Sequence, residues 1–117
     1  MSLEDIIEQL DGHNEVLESY VLLREIKAYL NLGKYQPQIN IKIYKSSVIE
    51  GSPYHFDVSH HVHTPEQMSP YFPSCTSFSS EKEAIDRAIY STTYYLKDAI
   101  DKGHDPEDQW LIVNENF

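Results

Sequence analysis

The densest group of side chains able to bind metal or exchange protons runs through His55, Asp57, His60, His61 and His63. If an extended strand carries this segment, His61 and His63 share one face and His60 takes the other, because side chains alternate along a strand. Two imidazoles at positions i and i+2 can meet one metal ion, and the Asp57 carboxylate can add an oxygen. His55, Asp57, His61 and His63 are therefore a candidate zinc or copper site. The spacing matches no diagnostic metal motif: there is no HExxH, and no cysteine lies nearby in the chain. The alternative is a polar strand end whose imidazoles are solvated or lie on neighbouring tyrosines. Because imidazole titrates near neutrality, the same cluster has the ingredients of a pH sensor.

Cys75 is the one cysteine, so no disulfide can form within the chain. A catalytic thiol needs a base and a depressed pKa, which the sequence cannot supply at a known distance. A lone cysteine is more often buried and inert. With only Gly12, Gly33, Gly51 and Gly103 in the chain, there is no glycine-rich phosphate loop. Paired carboxylates and Ser/His/Asp signatures are also missing. The expectation is a chain that is not an enzyme and carries no cofactor, zinc or copper at the histidines being the exception to test.

Charge and tyrosine point elsewhere. The formal net charge is −10. Residues 1–18 hold six acids and no base, and residues 98–117 are acidic again, with Lys102 as their one base. Such a field repels nucleic acid and anionic lipid, so neither direct nucleic-acid binding nor membrane binding is expected. The plain explanation is solubility. The sharper one is a surface, with Glu4, Glu8, Asp11 and Glu15 at its centre, that imitates nucleic-acid phosphates or docks on a basic partner. Nine of the aromatic residues are tyrosines, which suit half-buried and interfacial positions. Tyr90 and Tyr94 are four apart and should share a helix face. The segment Ser69-Pro70-Tyr71-Phe72-Pro73 holds two aromatics in a stiff loop that loses little entropy on binding. Tyr71, Phe72, Tyr90 and Tyr94 join the four acids as candidate partner-binding residues.

The elements that must position these groups read as helix, helix, strand, strand, irregular stretch, helix, strand. Ser2 and Asp5 start a short helix that Gly12 ends. Val16, Leu17, Tyr20, Val21, Leu23, Ile26, Ala28, Tyr29 and Leu30 form a broad apolar stripe, which predicts a long core-facing helix after Asn14. Period two then takes over: Ile39, Ile41 and Ile43 alternate with Asn40, Lys42 and Tyr44 in one strand. Tyr54, Phe56 and Val58 follow in its hairpin partner, across the Glu50-Gly51-Ser52-Pro53 turn. Thr64-Pro65-Glu66-Gln67 predicts a single turn, and Ser74–Phe78 a short strand. Ser80-Glu81-Lys82-Glu83 caps the most secure helix, which Gly103 closes. Trp110–Val113 reads as a buried last strand. The chain length of 117 residues suits one domain spanning residues 1–117. The predicted class is α+β, a small, mainly antiparallel sheet with two long helices on one face and a short N-terminal helix. The last strand is expected to join a neighbour in parallel through a right-handed crossover.

Pro73-Ser74-Cys75-Thr76, Ser79-Ser80-Glu81-Lys82-Glu83-Ala84-Ile85, Ala88-Ile89 and Tyr95-Leu96 together resemble the HicB-type antitoxin domain over roughly residues 53–113. The resemblance implies a β-β-β-α-β unit that neutralises a small basic RNase. Ser74 stands where that family has glycine, residues 60–72 form a long insert, and no DNA-binding segment follows the last strand. No catalytic residue carries over. The sequence thus predicts a small, acidic, non-enzymatic protein-binding or regulatory domain that binds a protein partner or itself. A nucleic-acid-mimicking inhibitor of a basic nuclease or DNA-binding protein is one alternative, and a His-cluster metal-binding protein another. The lone cysteine, the absence of an apolar leader and the lack of an apolar run of membrane length together predict a cytoplasmic location.

Overall fold

The computed structural model describes residues 1–48 and 50–117. Its elements are α1 (Leu3–Asp11), β1 (Tyr20–Tyr29), β2 (Gln38–Ser46), β3 (Tyr54–Val58), β4 (His60–Val62), β5 (Ser77–Phe78), α2 (Glu81–Asp101), one 3-10 turn (Asp108–Trp110) and β6 (Leu111–Val113). β1, β2, β3 and β5 form an antiparallel sheet in that order, and β4 pairs with β6 in a second, two-stranded sheet. The fold is α+β, with one long helix where two were expected. None of the helices among the described residues is long and apolar enough to cross a membrane.

Alternation in β2 builds the core. Ile39, Ile41 and Ile43 are fully buried on one face, beside Phe56 and Val58 of β3. α2 lies on that face through Ala84, Ala88, Leu96 and Ala99, all fully buried. Three alanines in this stripe let the helix approach the sheet closely. Each fully buried isoleucine contributes about 1.5–3 kcal/mol. Ser80 caps α2 by accepting a hydrogen bond from the Glu83 N–H at 3.1 Å. At its other end, Gly103 adopts φ 93°, a left-handed conformation that costs glycine least.

The main departure from expectation is the segment predicted as the second long helix. Residues 20–29 are a strand, and Leu17 ahead of it is almost fully exposed, with 98% of its surface open. The reason is a β-bulge between Leu22 and Arg24 in the pairing with β2. Val21 and Leu23 are half-buried on one phase of the alternation, and Ile26 and Ala28 on the other. The added residue stretches the interval between Leu23 and Ile26 to three, a helical spacing, so the period of two is lost from the pattern. Pairing with the regular β2 strand overrides the residual helical tendency.

Two further expectations are corrected at the C-terminal end. β6 runs antiparallel to β4, with Val62 opposite Leu111 and His60 opposite Val113, instead of joining the main sheet in parallel. It is also not buried: Ile112 and Val113 are exposed, and Trp110 just before it is the residue that enters the core. The Cα radius of gyration is 16.5 Å, against about 13 Å for a compact chain of this length. The excess fits the burial pattern, since neither α1 nor β1 contains a buried residue.

Candidate protein-binding surface

The tyrosines of α2 and the loop after β4 meet in one aromatic ridge. Tyr90 and Tyr94 sit one helical turn apart with ring centroids 5.3 Å from each other. Tyr94 meets Tyr95 edge-on at 5.1 Å, and Tyr95 meets Tyr71 at the same separation. Phe72, next in the loop, turns its ring onto His61 at 4.6 Å. Tyr90, Tyr94 and Phe72 remain 46%, 48% and 64% exposed. The ridge thus combines a packed base with open ring surface. It brings together Tyr71, Phe72, Tyr90 and Tyr94, the four aromatics singled out from the sequence.

Local chemistry holds the loop half of the ridge in place. The expected turn forms at Thr64–Gln67, closed by a 3.0 Å bond from the Gln67 N–H to the Thr64 carbonyl. The Gln67 side chain accepts from the Thr64 N–H at 2.8 Å and donates to the Val62 carbonyl at 3.0 Å. The Tyr71 N–H donates to the same carbonyl at 2.9 Å, pinning the loop to the end of β4. Beside the ridge lies an open cavity of about 460 Å³ lined by Glu66, Gln67, Met68, Pro70, Tyr71 and Tyr95 among others. Its rim is charged. Glu66 lies 2.8 Å from His104 Nε2 and 3.8 Å from Lys102, and Lys102 lies 3.2 Å from Asp98. The Asp98 hydrogen bond and charge, with Glu66 beyond, raise the Lys102 pKa. Arg87 stands over the Tyr90 ring at 5.4 Å, so a ring face of the ridge already accepts a guanidinium.

The histidine cluster takes a different form from the proposed metal site. Among the described residues, no three His, Cys, Asp or Glu side chains converge as a metal-holding group. The chain bends at Ser59 and passes from one sheet to the other, so His55 and Asp57 belong to β3 while His61 and His63 belong to β4 and the loop beyond it. Both nitrogens of His55 are engaged, Nε2 at 2.6 Å from Ser46 Oγ and Nδ1 at 2.8 Å from Ser77 Oγ. His63 Nε2 donates to the Gln67 carbonyl at 3.2 Å. His60 Nδ1 lies 2.8 Å from Ser59 Oγ. His61 is the exception, with its Nδ1 buried and unpartnered.

Burial sets the electrostatics of this row. It lowers the pKa of His55, His60 and His61; the His61 charge lowers His60 further, and Asp57 partly offsets the shift at His61. Burial raises the Asp57 pKa, against the pull of Lys42 and His61. The Ser46–His55 contact places a hydroxyl beside an imidazole, as nucleophilic catalysis requires. Ser46 is buried, however, so its oxygen is closed to a substrate.

Of the remaining predicted residues, Glu4, Glu8, Asp11 and Glu15 are all exposed, and none forms an ion pair among the described residues. The first three line one side of α1 by their spacing. Cys75, expected to be buried, is exposed instead, with its thiol 3.5 Å from the Ser77 carbonyl. A shallow cavity of about 320 Å³ on the sheet face opposite α2, lined by Tyr20, Tyr44, His55, Asp57 and Thr76 among others, went unread in the sequence. Its Tyr20 wall belongs to the strand that the bulge disguises. No protein-family model, curated protein or solved structure gives a significant match to this chain.

Proposed function

We propose that this chain is a non-enzymatic protein-binding domain that receives its partner on the ridge formed by Tyr90, Tyr94, Tyr95, Tyr71 and Phe72. One observation carries the proposal: four tyrosine rings in sequential contact, with Phe72 beside them on His61, and with Tyr90, Tyr94 and Phe72 open to solvent on a base fixed by backbone hydrogen bonds. Tyrosine supplies contact area with few rotors to freeze and a hydroxyl for the wet rim, which is why it is favoured at the centres of interfaces. The partner surface that fits has apolar groups for the rings and basic groups for the net charge of −10.

Affinity capture tests this directly. A partner held by the wild type should be lost when Tyr90, Tyr94 and Phe72 are replaced together by alanine. It should be kept when Glu4 and Glu8 are replaced by lysine. Retention by the ridge variant would overturn the proposal. Loss on the α1 charge reversal alone would favour nucleic-acid mimicry instead. A second, narrower reading draws on the resemblance to the HicB-type domain: with β4 set aside, which intervenes between β3 and β5 and pairs with β6 outside the main sheet, β2, β3, β5, α2 and β6 succeed one another as β-β-β-α-β. On that reading, the captured partner is a small basic ribonuclease, inhibited in the complex.

A further inference from the structure

At the opposite edge of the sheet from β5, β1 has ten residues, none of them buried, and among the described residues only one of its edges is paired. The direction of the unpaired backbone groups follows from the register. Leu30 N–H donates to the Pro37 carbonyl at 2.8 Å, in register with the pairs Ala28–Ile39 and Ile26–Ile41. Hydrogen-bonded and non-hydrogen-bonded pairs alternate in an antiparallel ladder. Leu30, Ala28 and Ile26 therefore turn their N–H and C=O groups toward β2, while Glu25, Lys27 and Tyr29 turn theirs outward. The free edge has no proline, and the bulge at Leu22/Arg24 limits its regular part to the C-terminal half of the strand.

That half is self-complementary. Two antiparallel copies of one strand within a continuous sheet are related by a two-fold axis normal to the sheet, which keeps each side chain on its own face. With the axis at Ile26, Glu25 of each copy stands opposite Lys27 of the other, and Ile26 stands opposite Ile26. The residues placed opposite each other at Glu25 and Lys27 are the ones whose backbone groups point outward. Moving the axis to Glu25 or to Lys27 puts like charges face to face, which is destabilising. Glu25 has only a 3.9 Å contact with Lys42, and Lys27 forms no ion pair among the described residues. Arg24, by contrast, is already held by Glu81 at 2.9 Å.

We propose that β1 is a homodimerisation edge, pairing antiparallel about Ile26 with β1 of a second copy to give one continuous eight-stranded sheet with both copies of α2 on the same face. The half-buried Ile26 and Ala28 gain cover from the second copy, since α2 lies over the interior of its own sheet. This surface is separate from the aromatic ridge.

Sedimentation velocity and native mass spectrometry over a concentration series test it, with circular dichroism verifying that each variant is folded. The wild type should show a concentration-dependent dimer. Lys27→Glu and Glu25→Lys should each weaken it by roughly tenfold or more, because each sets two like-charge pairs across the joint. The double exchange E25K/K27E should restore it. Mixing the two single variants should give a heterodimer in preference to either homodimer, since every facing pair is then opposite in charge. A wild type that stays monomeric throughout, as it would if the edge were kept for a foreign peptide, overturns the proposal. So does a dimer indifferent to these substitutions. Alanine at Phe72 and Tyr94 should leave dimerisation unchanged, which keeps this outcome distinct from that of the ridge.

Discussion

The Tyr71 ring lies 5.1 Å from the Tyr95 ring, and its backbone N–H is bonded to Val62 at the end of β4. One residue therefore ties the loop, the second sheet and α2 together. The ring contact makes the loop part of the helix surface, and the backbone bond sets which residue of the loop meets the helix.

Replacing Tyr71 with alanine should lower stability by roughly 1–3 kcal/mol, combining a lost aromatic pair with partial loss of burial. Tyr71→Phe should retain most of it, because the ring carries the contact. Urea denaturation measures both. A change of only a few tenths of a kcal/mol in Tyr71→Ala would show that the loop is not anchored through its ring.

Phe72, Tyr90 and Tyr94 should behave differently. Between 46% and 64% of their surface is in water, so single alanine substitutions should shift stability by no more than about 1 kcal/mol. Partner binding should suffer far more, with a loss of the order of 2 kcal/mol for a ring at the centre of the contact. Isothermal titration with the captured partner, set beside the denaturation curves, separates the two effects.

Trp110 is the third test. It is buried, and its carbonyl accepts the His63 N–H at 2.8 Å just where β4 and β6 pair. Trp110→Ala should cost about 3–5 kcal/mol, enough to unfold a domain of ordinary stability. Intrinsic fluorescence cannot follow a variant without its one tryptophan, so circular dichroism should track the melt. A loss under about 1 kcal/mol would mean that the small sheet is not anchored by this ring.

What the sequence disclosed depended on how far local pattern and tertiary pairing agreed. Ile39, Ile41 and Ile43 alternate strictly, and the strand, its hairpin and its buried face all follow. Ser80 and Gly103 bracket α2 because capping is a local matter. The segment from Tyr20 to Tyr29 defied reading because its bulge shifts the phase halfway along. A single extra residue, visible only against β2, turns two short alternations into an apparent helical stripe. Tyr90 and Tyr94 were legible as neighbours because i,i+4 geometry is fixed. Their link to Tyr71 runs through the Tyr95 ring and a 2.9 Å bond from the Tyr71 N–H to the Val62 carbonyl, which no spacing reveals. The candidate metal set His55, Asp57, His61 and His63 is divided by a bend at Ser59, which leaves the first two in β3 and carries His61 into β4 and His63 into the loop beyond it. The edge pairing of β1 could not be anticipated while that segment read as a helix.

The histidines of β3 and β4 should leave a mark on the pH dependence of folding. Burial holds His55, His60 and His61 below the ordinary imidazole value of about 6.5. Above that value both the folded and unfolded chains carry them neutral, and they do not alter the balance. As pH falls through about 6.5, the unfolded chain takes up protons that the folded chain still refuses, so stability must fall. The loss continues until the folded imidazoles protonate in turn. Asp57 acts with the opposite sign in a lower window. Its raised pKa lets the folded chain bind a proton first, so acidification toward the ordinary carboxylate range should return some stability through this group. Urea midpoints at pH 7.5, 6.5 and 5.5 should therefore decline in that order. His55→Gln and His61→Gln should each flatten the decline, because each removes a group that the unfolded chain protonates preferentially. A wild-type midpoint constant across that range would show that these rings are solvated in the folded protein and that the Ser46–His55–Ser77 chain does not persist in solution.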